Sequence, residues 1–228
     1  ILLLTIYSLL SSITHAQNQW LDSLRNVAAV QKEDTNKVWT LITLSETYKF
    51  NYADSGLYYG QQALRIAEKL KFDAGIFWSI VAINKSLYTL GNYALELDYA
   101  FKAYTLGKKL NQTYTIGWAN GTLGDCYFNL GDYNSALKYY REVIKTAEEK
   151  SLIDLSSIYS AVVPVFIKLH LYDSALIYAK KGYELFKINP LLNNESDDGR
   201  YSKTFTYRFL GEAYAGKNDD SSAEHYFH

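Results

Sequence analysis

The stretch Gly121–Tyr140, GTLGDCYFNLGDYNSALKYY, holds three glycines, two of them in Gly-Asp pairs, and the only cysteine of the chain. It is either a loop built around chemistry or two helices built to pack. Its neighbours decide. LGDCYFNLGDYNSALKYY from Leu123 aligns with INKSLYTLGNYALELDYA from Ile83, VVPVFIKLHLYDSALIYA from Val162 and LGEAYAGKNDDSSAEHYF from Leu210. LSETYKFNYADSGLYYG from Leu44 aligns as well, with a connection one residue shorter. The starts at 44, 83, 123, 162 and 210 are 39, 40, 39 and 48 residues apart. A fixed period of about 40 is the mark of a repeat array.

Each unit divides into two helices. The first of the third unit carries Trp118, Leu123, Tyr127 and Leu130 at helical spacing. Leu90-Gly91-Asn92 and Leu130-Gly131-Asp132 then make a tight turn. Glycine takes the strained position, and Asn92 or Asp132 caps the next helix. The second helix carries Ala136, Tyr140, Ile144 and Ala147, and Gly124 with Ala136 marks a close helix crossing. Mid-helix glycine costs about 1 kcal/mol against alanine, so close approach is its compensation. The glycines are therefore packing and turn residues. A phosphate-binding loop needs a preceding strand and a Gly-Lys-Ser/Thr ending, which are absent. Cys126 is expected inside a helix as a small buried apolar residue.

These units resemble the tetratricopeptide repeat (TPR). Leu123-Gly124, Tyr127, Ala136 and Tyr140 carry the likeness, as do Leu210-Gly211, Tyr214, Ala223 and Phe227. The fourth unit keeps Phe166, Ala175 and Ala179, whereas the first two have Ser45 and Asn84 at the glycine position. The usual tryptophan and terminal proline are missing, and the period exceeds 34. The resemblance implies an all-α, right-handed TPR-like α-solenoid of helix pairs. The organisation expected is a signal peptide over 1–16, a capping helix and link over 17–36, and an array over 37–228. Its units are 37–75, 76–115, 116–154, 155–188 and an incomplete 204–228, with a loop insertion at 189–203. Thr35 or Asn36 is the expected cap of the first unit.

The composition is that of a globular chain of 228 residues, 48% apolar and 21% charged, with a net charge of −1. Near-neutral charge offers no electrostatic basis for binding nucleic acid. One cysteine excludes an internal disulfide framework. ILLLTIYSLLSSITHAQ at the start reads as a secretory apolar segment with a cleavage site before Gln17, too short for a comfortable membrane span of about 20 residues. Uncleaved, it is an anchor or an ordinary apolar helix. The stripe of the last helix breaks off at His228, so further helices and then a membrane span are expected beyond it. Contact with a membrane is expected only through the leader or that downstream helix.

No catalytic or metal-binding pattern emerges. His225 and His228 share a helix face without an accompanying acid in a metalloprotease pattern. Glu195, Asp197 and Asp198 do not have the spacing of a calcium loop and fit a solvated loop. One constellation goes beyond packing. Trp39, Trp78, Trp118 and Phe205 each stand five residues before the key apolar residue of a unit. Two after it stand Glu46, Lys85, Asp125, Pro164 and Glu212, and beyond them Phe50, Tyr88 and Phe128. In a TPR these places tend to line the concave groove, so the resemblance implies an aromatic ladder with mixed charge, suited to a protein, a peptide or a small molecule. The competing reading is that the tryptophans only pack successive first helices together.

Leader, lone helix and 40-residue units together resemble the extracytoplasmic sensor region of certain bacterial histidine kinases. That implies a non-catalytic binding module without cofactor, on the periplasmic side of the inner membrane. A free-standing exported scaffold and a cytosolic TPR peptide receptor controlling transcription are the alternatives.

Overall fold

The computed structural model describes residues 19–150, 155–188 and 197–227. Among them are eleven helices and no strand. They are α1 (19–30), α2 (Thr35–Tyr48), α3 (Ala53–Lys69), α4 (Asp73–Thr89), α5 (Tyr93–Leu110), α6 (Thr113–Asn129), α7 (Tyr133–Lys150), α8 (Leu155–Lys168), α9 (Tyr172–Ile188), α10 (Asp197–Gly216) and α11 (Asp220–Phe227). The leader, His228 and the start of the expected 189–203 loop lie outside the described residues. None of the described helices is long and apolar enough to cross a membrane.

The chain divides after Leu110 into two units. In the first, α3 packs between α2 and α4, α5 packs on α4, and α2 also touches α4 directly. Leu21, Leu24 and Ala28 of α1 close the cluster formed by Val38, Leu41, Leu44, Ala63 and Ile66. In the second, α6 to α11 pack in chain order, and α8 also touches α10. Its core gathers Leu137, Tyr140, Val162, Phe166, Leu176, Phe209 and Leu210.

Local chemistry sets the turns. Gly91 and Gly131 adopt φ of +70° and +81°. The Asn92 and Gly91 amides donate back to Leu87 and Tyr88 at 3.0 Å, satisfying carbonyls the helix end would leave free. Asn92 then accepts from the Leu95 amide and Asp132 from the Ser135 amide, at 3.3 and 3.0 Å, so one residue ends a helix and caps the next. His170 and Asn218 occupy the same left-handed position in later units, with φ of +56° and +60°. The cap of α2 is Asp34, accepting from the Lys37 amide at 3.1 Å, rather than Thr35 or Asn36. The helix starts one residue earlier than a cap at Thr35 would place it.

Two contacts recur among the pairs. A Cβ on Gly124 would come within 2.9–3.1 Å of three ring atoms of Tyr140, and one on Gly211 would strike the Phe227 ring. Glycine on the first helix thus makes room for a ring on the second. Ala136, also on α7, is fully buried in the core. In the first unit the sizes are reversed, with Ser45 against Gly60. Farther along, rings stack face to face: Tyr48 with Tyr59, Tyr127 with Tyr139, Phe166 with Tyr178 and Tyr214 with Tyr226, at 5.7, 5.5, 5.2 and 5.6 Å. Seven of the 22 tyrosines belong to this one repeated contact.

The backbone of 197–203, read from composition as loop, is the first part of α10. Aspartates suit a helix N-terminus as well as a loop, because the partial positive charge there favours them. Cys126 is fully buried.

Candidate partner-binding face

The first unit gathers six of the predicted residues. Trp39 and Glu46 are seven residues apart on α2, two turns along one face, and Phe50 follows just beyond the helix end. Trp78 and Lys85 repeat that spacing on α4, followed by Tyr88. Direct contact of α2 with α4 sets the two strips side by side.

At their centre is an ion-paired cluster. Lys85 Nζ lies 3.0 Å from both carboxylate oxygens of Glu46, and Lys49 Nζ lies 2.7 Å from one of them. All three side chains are partly covered. Burial works against the Glu46 carboxylate, but hydrogen bonds from Lys49 and Lys85 outweigh it and hold its pKa below the usual range. Ion pairs this accessible contribute little to stability, at most about 1 kcal/mol each. Their effect here is to hold two charged chains in fixed positions.

The rings stand at either end. Trp39 is 40% exposed and meets Phe72 edge-on at 5.9 Å. Trp78 is half-buried against the apolar cluster and edge-on to Phe77 at 5.4 Å. Phe50 is 70% exposed beneath Lys49 Nζ, 5.0 Å from the ring centre, and Tyr88 is 50% exposed. The exposed Thr43 and Thr47 lie on the α2 strip, their hydroxyls bonded to helix carbonyls at 2.9 and 2.7 Å. The tryptophan ladder is therefore uneven: Trp39 offers a face to solvent, while Trp78 also packs.

The second unit disperses its candidates. Trp118 is half-buried with Tyr114 6.4 Å away. Solvent reaches Asp125, yet enough protein surrounds it that burial pushes its carboxyl up to about 6, against the pull of the Tyr140 hydroxyl that donates to it. Phe128 packs on the core and against Tyr133 at 5.6 Å. Glu212 on α10 pairs with Arg208 at 3.4 Å. Pro164 lies inside α8, and the Phe205 side chain is outside the described residues. Sequence reasoning missed Lys49 and Tyr140. Lys49 was visible as a cation three residues after Glu46, a helix neighbour. Tyr140 belongs to the core, and its hydroxyl reaches a carboxylate fifteen residues away.

A carboxylate saturated by two lysines is a poor base, and among the described residues no group of three or more His, Cys, Asp or Glu is placed to hold a metal. Exposed rings surround an internally paired charge cluster.

A tetratricopeptide-repeat family model matches residues 119–150, most of α6 and all of α7. In fold, this chain is a TPR-like repeat protein. Solved structures agree over most of its length. The apo form of RapI superposes with a TM-score of 0.68 at 15% identity, covering 96% of this chain and 93% of that one. A signal-transduction ATPase with a tetratricopeptide repeat sensor, from Pyrococcus horikoshii, gives 0.72 at 20% identity, covering 94% of this chain and 33% of that one. A Rap protein complexed with competence and sporulation factor gives 0.67 at 17% identity, covering 95% and 70%. No curated protein is a detectable sequence relative.

Proposed function

We propose that this TPR-like chain is a non-catalytic module that binds a protein or peptide on the α2/α4 face, and that it serves as the extracytoplasmic sensor part of a bacterial signalling protein. The observation that carries the binding role is the pairing of exposed Phe50, Tyr88 and Trp39 with a charge cluster that is already satisfied internally. Such a surface releases water from rings on binding without having to break strong hydrogen bonds to solvent. Two of the structural neighbours support the reading by what they are: one is a Rap protein solved with a bound factor, the other carries a TPR sensor. The extracytoplasmic placement rests on the leader-like start of the sequence, and the mature protein then begins at Gln17.

The binding role is tested by selecting a displayed random peptide library on the purified protein and titrating the selected peptides. Trp39→Ala, Phe50→Ala and Tyr88→Ala are each expected to weaken binding at least tenfold with the fold intact. Peptides that bind all three variants as tightly as the parent would place the binding surface elsewhere. The sensor placement is tested separately by N-terminal sequencing of the protein from its native host, expected to read QNQWLDS. A cytoplasmic product that keeps Ile1 would overturn it.

A further inference from the structure

We infer that α5 is the weakly docked helix of the first unit and detaches from α4 as a local event, well before the rest of that unit unfolds. The reason lies at the helix crossing. Where the third and fifth helix pairs set Gly124 under Tyr140 and Gly211 under Phe227, the same register brings Asn84 of α4 opposite Ala100 of α5. Asn84 is 2% exposed, and neither its amide nitrogen nor its amide oxygen has a hydrogen-bond partner. Burying an amide without a partner opposes docking. The fourth pair shows the apolar solution at this register: Val163, 1% exposed, opposite Ala179. The small partner is the same, and only the polar residue differs.

The rest of α5 does little to offset this. The residues it buries fully are Glu96, Ala100, Ala103 and Gly107, a carboxylate and three small groups, and its larger apolar residues Leu97, Tyr99 and Leu106 are only half-buried. By contrast, α3 sends Ala63, Ile66 and Ala67 into the apolar cluster of the unit, to which, among the described residues, α5 contributes none. At the register where other pairs stack two rings, this pair has Leu87 and Tyr99. Local opening concentrates where buried apolar contact is sparse. Undocking uncovers Leu87, 1% exposed when closed, and needs no ligand, so it is independent of what the α2/α4 face binds.

Hydrogen exchange read by mass spectrometry on the whole chain tests this. Peptides from 93–110 are expected to show protection at least tenfold lower than peptides from α3. Asn84→Val, which copies the Val163–Ala179 crossing, is expected to raise the protection of α5 about 10- to 100-fold, the range for removing the desolvation penalty of an unpartnered buried amide. Protection of α3 should stay within a factor of about three. Asn84→Ala, which removes the amide without adding bulk, should act in the same direction. Equal protection of α5 and α3 in the parent would overturn the inference. So would variants that leave α5 unchanged, lower its protection, or raise α3 equally.

Discussion

Alanine at Gly124 should destabilise the second unit, although alanine is the better helix former. Gly124 lies inside α6, where the exchange by itself favours the helix by about 1 kcal/mol. Against this, the new methyl would sit 2.9, 3.0 and 3.1 Å from Cε2, Cζ and Cδ2 of Tyr140. That ring is only 4% exposed, and its hydroxyl is held by Asp125, so it has no free direction of retreat. Overpacking of this kind costs about 1–3 kcal/mol. The net expectation is a loss of about 1 kcal/mol, read from urea unfolding followed by far-UV circular dichroism. Two controls sit on the same helix. Nothing lies within 4 Å of a Cβ placed on Gly117 or Gly121, so alanine at either should stabilise by up to about 1 kcal/mol. A further variant fixes the cause: with Tyr140→Ala as background, Gly124→Ala should turn from destabilising to stabilising. If Gly124→Ala instead stabilises the parent as Gly121→Ala does, the crossing is not close-packed and the explanation of the repeat glycine is wrong.

Gly131→Ala should cost about 1–2 kcal/mol by thermal unfolding, since its φ of +81° is left-handed while the space around it is open, leaving backbone strain as the whole effect. Trp39→Ala and Trp78→Ala should part company: the first weakens peptide binding with less than about 1 kcal/mol of lost stability, while the second, packed on the apolar cluster, costs about 2–3 kcal/mol. Asp125→Asn should stabilise the protein at pH 7 and not at pH 3. A carboxyl raised to about 6 opposes folding only when ionised, so its penalty is absent below the unfolded value near 3.8, grows as the pH climbs from there to about 6, and is complete above. Glu46→Gln should have the opposite sign. The lowered pKa of Glu46 adds stability above the unfolded value near 4.5 that fades as the pH falls below it, so the variant loses stability at neutral pH and converges on the parent in acid. Urea midpoints across pH check both.

The sequence by itself determined the repeat, the all-α class and the turns. These depend on residues within a few positions of one another: Leu90-Gly91-Asn92 is a helix stop, a left-handed residue and a cap in three letters, and the stripe from Trp118 to Leu130 needs no partner to be recognised as helical. It also put Glu46 and Lys85 in one register, because a period of 39 carries each position onto its neighbour. Only the tertiary structure decided what meets there. That the two charges satisfy each other with Lys49, that Trp39 stays open while Trp78 packs, and that Tyr140 fills the space over Gly124 all depend on side-chain geometry between helices. The Asp-rich start of α10 is the same lesson in reverse. Its residues suit a loop and a helix N-terminus equally, so composition could not choose, and the packing of the rest of α10 on α8, α9 and α11 did. A repeat period names which residues are equivalent. How each equivalent place is filled follows from volume and hydrogen-bond complementarity across the helix crossings, which no single stretch of chain contains.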